Sequence, residues 1–210
     1  MSKIGTNTGS RGFLGNGIYL ATNKNDAKQY GSIVKELYIN SKKPLDLRNK
    51  SYSDVSKLLP NLKMKNGIKW SEAFKIKDSL DKEIKYIEKD DLGGGFFNIY
   101  YEYNDKDYKI NRRSESQVSN DKDTMNLIKR HLLPKIGIDD PDNIGALGNY
   151  FGSKLKNEVL ENGYDSVFSK GTNFTDVGDE IVVFDPNQIK SVDAESFCHE
   201  TNINKSLKII

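Results

Sequence analysis

Two groups of residues in this chain have types and spacings that could support binding and bond-breaking chemistry. The first is Gly15-Asn16-Gly17-Ile18-Tyr19, with Tyr30 further along the chain. Glycines before a strand let a ligand approach the backbone closely, and tyrosines on a strand and on the next helix could enclose a planar ring. On spacing alone, a loop with two packing tyrosines is the simpler interpretation.

The second group is the segment Asp179-Glu180-Ile181-Val182-Val183-Phe184-Asp185, in which acidic residues precede an apolar run. A carboxylate at the start of a buried strand can be held rigidly at the edge of a cleft. There it could bind a sugar hydroxyl and stabilise developing positive charge. The alternative is a strand-edge charge that is only solvated.

Together these segments resemble the second and third sequence motifs of ADP-ribosyltransferases of the His-Tyr-Glu class, which includes diphtheria toxin and the poly(ADP-ribose) polymerases. Segments 161–167 and 183–191 are also similar to the ADP-ribosyltransferase-like domains in polyvalent proteins of phages and mobile elements. The resemblance covers residues 4–48 and 144–192. It implies an α+β fold with an ADP-ribosyltransferase-like split mixed β-sheet core.

The resemblance also implies roles for individual residues, with NAD as the substrate and no metal required. Tyr19 and Tyr30 would stack on the nicotinamide ring. Glu180 would hydrogen-bond the nicotinamide ribose and support an oxocarbenium-like transition state, so the predicted catalytic residues are Glu180 and Tyr19. The predicted NAD-binding residues are Gly5, Thr6, Gly17, Tyr19 and Tyr30.

Three positions depart from the motifs of the class. Ile4-Gly5-Thr6 stands where the class has His-Gly-Thr or His-Gly-Ser, so the His that binds the adenosine ribose is absent. Ala27 replaces a Ser that bonds the nicotinamide carboxamide in poly(ADP-ribose) polymerases, although the Gly5 backbone could hold that amide. Gly178 lies where arginine-specific transferases carry Glu, which disfavours arginine as the acceptor. We expect weakened NAD affinity with the chemistry retained.

Other residues that could do chemistry have simpler structural explanations. Adjacent Cys198 and His199 would point to opposite faces of a strand, and His131 is expected on a solvated helix face. Gly93-Gly94-Gly95 is not followed by the Gly-Lys-Ser/Thr of a phosphate-binding loop. The aromatic residues between 96 and 108 could stack on bases or bind a protein partner, but core packing accounts for half of them.

Hydrophobic periodicity predicts the elements that would position these residues. Strands are predicted at 17–21, 33–40, 45–47, 96–103, 108–112, 166–168, 180–184 and 188–192. Helices are predicted at 26–30, twice within 52–89, at 124–133 and at 144–162. The result is an α+β chain with one domain over 1–210, in which 50–140 form a helix and hairpin insertion and 193–210 a polar C-terminal tail.

Composition excludes several functional classes. Of the 210 residues, 32 are Lys or Arg and 30 are Asp or Glu, and the net charge of +2 gives no general attraction to nucleic acid or anionic lipid. One Cys and two His disfavour disulfides and the usual zinc sites. No apolar run approaches the roughly 20 residues that span a bilayer, so we expect a soluble, cytoplasmic protein. The excess of Lys and Asn is typical of a low-GC bacterium, its virus or a mobile element.

The sequence supports two main hypotheses for function. In the first, the chain is a mono-ADP-ribosyltransferase that cleaves NAD and transfers ADP-ribose to a host protein or nucleic acid, as an effector of a phage or mobile element. In the second, it is a catalytically degenerate binding protein that inhibits a bacterial host or defence factor, which Ile4 favours. NAD hydrolysis without an acceptor is a third possibility. The target, the acceptor residue and the oligomeric state stay open.

Overall fold

The computed structural model describes residues 12–30, 32–170, 178–192 and 207–209. The chain divides into two compact units, the first formed by residues before 63 and after 144, and the second by Lys63–Ile144. The described strands are β1 Ile18–Ala21, β2 Leu37–Ile39, β3 Pro44–Asp46, β4 Lys85–Asp91, β5 Phe96–Tyr103, β6 Lys106–Ser114, β7 Ser166–Lys170, β8 Asp179–Val183, β9 Ile189–Ser191 and β10 Leu207–Ile209. The described α-helices are α1 Lys24–Tyr30, α2 Tyr52–Leu58, α3 Trp70–Glu83, α4 Asp121–Leu132, α5 Leu147–Phe151 and α6 Ser153–Glu161.

A four-stranded mixed sheet forms the centre of the first unit, with strand order β1-β8-β7-β3. Strand β8 runs antiparallel to both of its neighbours, β1 and β7, whereas β3 pairs with β7 in parallel. The apolar run that the sequence predicts as a strand therefore lies inside the sheet, where both of its edges are hydrogen-bonded.

The described part of this unit also contains a second, three-stranded sheet of order β10-β2-β9. The core between the sheets contains Ile18 and Ile181 from the first and Ile39 from the second, with Ile189 packed against them. Burial of these branched side chains stabilises the pair of sheets. The mixed α+β class with a split β-sheet core, predicted from the sequence, is confirmed.

Two segments of the first unit differ from the prediction. The strand predicted at 33–40 is limited to β2, because only Leu37–Ile39 pairs with β9 and β10, and Ile33 is 82% exposed. The single helix predicted at 144–162 is two helices, α5 and α6. They separate at Gly152, whose φ of +60° lies in the left-handed region that interrupts an α-helix.

The second unit contains the antiparallel sheet β4-β5-β6 and helices α3 and α4. Its sequence-predicted hairpin is confirmed, and β5 and β6 are joined by Asn104 and Asp105, both with positive φ as a tight two-residue turn requires. The helical prediction that extended to residue 89 is wrong after Glu83. Ile84 and Ile87 have helical spacing, but β4 pairs along its length with β5, a non-local contact that periodicity cannot detect.

The environment of His131 also differs from the prediction. Its ring is half-buried and its Nδ1 lies 2.8 Å from the hydroxyl of Tyr101, which is fully buried in the core of the second unit. Burial lowers the pKa of His131, and the charges of Lys135 and Arg113 lower it further. His131 is a partner of the buried Tyr101 and does not lie on a solvated helix face.

Candidate active site

Glu180 is the second residue of β8, in the interior of the four-stranded sheet. Its partners in the strand register are Ala21 on β1 and Ser169 on β7. Paired residues of antiparallel strands share one face of the sheet, so the carboxylate lies between two small side chains. This neighbourhood leaves space above Glu180 that larger residues would fill.

A cavity of about 130 Å³ occupies that side of the sheet, entirely within the first unit. It is lined by Phe13, Leu14, Leu47, Lys50, Tyr52, Val55, Gly145, Ala146, Leu147, Ser169 and Glu180. A protein cavity of about 150 Å³ can hold one benzene ring, and whole-ligand pockets are typically several hundred Å³. The cavity is therefore suited to a single planar ring rather than to a complete dinucleotide.

The electrostatic state of Glu180 distinguishes it from an ordinary surface acid. The side chain is half-buried, and burial alone raises the pKa of its carboxyl. Among the described residues, no hydrogen bond or neighbouring charge offsets that effect. An ionised Glu180 is thus incompletely solvated, and a positive charge that formed beside it would be stabilised more strongly than in water.

Tyr19 shares the sheet face of Glu180, because it pairs with Val182, two residues along β8. Its hydroxyl donates to the Gly15 carbonyl at 2.7 Å and accepts from the Leu14 amide at 2.9 Å. The tyrosine therefore fixes the turn that precedes β1, and it is not among the residues that line the cavity. Its predicted stacking on nicotinamide stays a prediction.

The turn fixed by Tyr19 presents an aromatic residue that sequence analysis did not single out. Phe13 lines the cavity and is 46% exposed, although it is a large apolar side chain. Its carbonyl accepts a 2.7 Å hydrogen bond from the Gly148 amide of α5. The segment holds Phe13 at the cavity, where its ring could contact a planar ligand.

Gly17, predicted as an NAD-binding residue, packs closely against β8. A Cβ at this position would lie 2.4 Å from Val182 Cγ1 and 2.9 Å from the Val183 carbonyl oxygen. Both distances are shorter than real Cβ contacts allow, so glycine is needed here for strand packing. This requirement gives the Gly-Ile-Tyr motif a structural reason that is separate from any ligand.

The start of β8 is fastened to the segment that follows β1. The Asp179 amide donates to Thr22 Oγ1 at 2.7 Å, the Thr22 amide donates to the Asp179 carbonyl at 3.0 Å, and the Gly178 amide donates to Asp26 Oδ2 at 2.8 Å. In this segment the sequence predicts only the helix at 26–30. The polar side chains of the segment also position the strand that carries Glu180.

The same contacts account for a glycine at position 178, where arginine-specific transferases carry a glutamate. A Cβ at residue 178 would lie 2.8 Å from both Thr22 Oγ1 and Asn23 Cβ, and 3.0 Å from Asp26 Oδ2. A glutamate cannot enter this position unless the segment after β1 moves. The packing around residue 178 therefore leaves no room for a second acidic side chain.

Arg48 connects β3 to β8 on the side of the sheet opposite Glu180. Its guanidinium bonds Asp179 Oδ2 at 2.6 Å through Nη1 and Asp46 Oδ2 at 2.7 Å through Nη2. These contacts raise the pKa of Arg48 and lower the pKa of Asp46. Asp179 and Glu180 are adjacent and point to opposite faces, so Arg48 restrains the strand without neutralising Glu180.

Several predicted residues lie outside the described part of the chain. They are Ile4, Gly5 and Thr6, together with Cys198 and His199, and the side chain of Tyr30. Ala27 lies in α1, where its amide donates to the Asn23 carbonyl at 3.1 Å. Within the ranges that the structure describes, no group of three or more His, Cys, Asp or Glu could hold a metal ion, and no helix is long and apolar enough to cross a membrane.

The mixed α+β structure with its split sheet core is consistent with an ADP-ribosyltransferase-like fold. A model of the family described as ADP-ribosyltransferase in polyvalent proteins matches residues 2–198, and the chain belongs to that family. No curated protein and no solved structure matches the chain. The family resemblance predicted from the sequence is confirmed, and NAD is the substrate that ADP-ribosyltransferases use.

Proposed function

We propose that this chain cleaves NAD between nicotinamide and ribose and transfers ADP-ribose to a macromolecular acceptor. The observation that carries the proposal is the half-buried carboxylate of Glu180, which has no partner among the described residues and faces a cavity of single-ring size. Perturbed titratable groups in clefts are typical of catalytic sites.

The reaction follows from what the cavity can accommodate. The nicotinamide ring would enter it beside Phe13 and Leu47, so that the attached ribose meets Glu180. As the carbon–nitrogen bond breaks, its electron pair goes to nicotinamide and positive charge grows on the ribose. Glu180 would accept a hydrogen bond from a ribose hydroxyl and stabilise that charge. The acceptor nucleophile then bonds the same ribose carbon and loses its proton to the surroundings.

Contacts around β8 would keep this carboxylate in place during the reaction. Thr22 and Asp26 hold the start of the strand from one side, and Arg48 holds Asp179 from the other. Electrostatic stabilisation is effective when the charged group is already oriented before reaction, because no reorganisation is then needed. The acceptor and the role as a phage or mobile-element effector are proposed from membership of the polyvalent-protein family.

The test measures nicotinamide release from labelled NAD with and without a bacterial lysate, and follows label in macromolecular bands. Wild-type protein should release nicotinamide and label at least one lysate component. Glu180→Gln keeps the side-chain shape and should lower release by on the order of 10²-fold. Release that is equal in the two proteins would remove Glu180 from the site, and release without labelled bands would favour NAD hydrolysis.

A second candidate function, a degenerate binding protein, is favoured by Ile4, which cannot make the polar contacts of the missing His. Calorimetry with NAD separates the two. The enzyme should bind NAD weakly, and Ile4→His should tighten binding about tenfold or more. If neither protein binds NAD while both are folded by circular dichroism, the binding protein is the better account.

A further inference from the structure

Lys50 lies on the cavity wall just after β3, on a turn whose backbone is fixed. The Lys50 amide donates to the Leu47 carbonyl at 3.2 Å, the Leu47 amide donates to the Phe168 carbonyl at 2.7 Å, and Asn49 adopts a φ of +61°. The Lys50 side chain itself is exposed. The backbone therefore directs a long cationic side chain to the cavity region without burying its ammonium group.

The charge pattern of the cavity sets Lys50 apart. Of the described residues that line it, Glu180 carries a negative charge and Lys50 alone a positive one. The nearest cation in sequence, Arg48, is already bonded to Asp46 and Asp179. Lys50 has no carboxylate within 4.0 Å among the described residues, although its charge lowers the pKa of Asp46 from a greater distance. Its ammonium group is available to a ligand.

We propose that Lys50 binds the diphosphate of NAD, an inference that rests on the proposed function. The cavity has room for one ring, so the rest of the dinucleotide must extend outward from the ribose. The first charged group along it is the diphosphate. Without a cation, an anionic diphosphate would be repelled by Glu180. A flexible ammonium suits phosphate as a point charge.

The proposal predicts that Lys50 recognises one part of the substrate and not the other. Lys50→Gln should weaken binding of NAD and of ADP-ribose by about three- to tenfold, the range expected for one partly exposed charged contact. Binding of nicotinamide, which lacks phosphate, should be unchanged. Lys50→Arg should retain most of the affinity because it keeps the charge. Raising the salt concentration should weaken NAD binding less in Lys50→Gln than in wild type.

Lys57→Gln is the matched control, because Lys57 is an exposed lysine on the neighbouring α2 that pairs with Asp54 and does not line the cavity. It should bind all three ligands as wild type does. Steady-state nicotinamide release adds a second readout, since Lys50→Gln should raise KM and leave kcat within about twofold.

The possible outcomes separate the two proposals. If wild type binds NAD, and Lys50→Gln binds NAD and ADP-ribose as tightly as wild type does, the assignment of Lys50 to the diphosphate is wrong while the proposed function stands. If Lys50→Gln lowers kcat and shifts the pH profile without changing ADP-ribose affinity, Lys50 acts on Glu180 and the diphosphate assignment is also wrong. If folded wild type binds neither NAD nor ADP-ribose, both proposals fail together.

Discussion

Glu180 combines two properties that are costly for folding and useful for catalysis. It lies on an interior strand of the sheet with its carboxylate half-buried, and no described residue donates a hydrogen bond to that carboxylate. Such a carboxylate lowers the stability of the ligand-free folded protein, because its charged form loses hydration without compensation. The same lack of compensation leaves the full field of the carboxylate available to a developing positive charge. Function and stability therefore oppose each other at this residue.

The pH dependence of stability should reveal how much stability the folded protein loses when Glu180 ionises. Because burial raises the pKa of Glu180 above its ordinary value of 4.5, the folded protein holds this proton more tightly than the unfolded chain does. Between the unfolded and the folded pKa, stability contributed by the protonated acid is lost as the pH rises. We expect Glu180→Gln, which cannot ionise, to gain stability relative to wild type as pH increases through this window.

Urea unfolding of both proteins from pH 4 to pH 8 checks this expectation. The difference in unfolding free energy should be smallest at the acid end, where Glu180 is mostly protonated in both states, and should level off above the folded pKa. A difference that stays constant over the whole range would mean that the carboxylate carries no burial penalty, and would weaken its assignment as a preorganised charge.

At the scale of elements, β8 is a strand positioned by side chains from elsewhere in the sequence. Its apolar residues are buried against β1 and β7, while its first residue is held by Thr22 after β1 and by Arg48 after β3. The hydrophobic interior fixes the register and the polar contacts fix the end. Glu180 is the next residue along β8, so movement of the strand end should displace its carboxylate directly.

Substitution of Thr22 tests this dependence. Thr22→Val keeps the branched shape and removes the hydroxyl that accepts from the Asp179 amide, which leaves a half-buried donor without its partner. We expect unfolding to become easier by about 1–2 kcal/mol, with nicotinamide release reduced several-fold through kcat. Thr22→Ser retains the acceptor and should behave nearly as wild type. Normal release by a destabilised Thr22→Val protein would show that the strand end does not position Glu180.

Across the whole molecule, sequence and structure agree where local pattern is sufficient. The strand that bears Tyr19, the strand that bears Glu180 and the hairpin of β5 and β6 follow from apolar periodicity and turn chemistry. Strand β4 could not be found in this way, because its pairing partner, and not its own spacing, determines its conformation. Phe13 and Lys50 lack a sequence motif altogether, and only the folded chain brings them to the cavity of Glu180.

The location of the candidate site leads to a prediction for the whole chain. Every described residue that lines the cavity belongs to the first unit, whereas Lys63–Ile144 forms the second. Ligand that binds only the folded site suppresses local opening of the segments it touches. We expect NAD, added to Glu180→Gln so that turnover is slow, to reduce amide exchange at 12–15, 47–52 and 145–147.

Hydrogen–deuterium exchange read by mass spectrometry measures this protection directly. Amides with hydrogen bonds in the cavity wall, such as those of Leu14, Leu47 and Lys50, should slow most, because their opening requires the wall to move. Peptides from 63–144 should exchange as in the absence of NAD, and adenosine monophosphate, which lacks the nicotinamide ring, should protect the cavity wall less. Protection concentrated in 63–144 would instead assign the ligand to the second unit and remove this cavity as the NAD site.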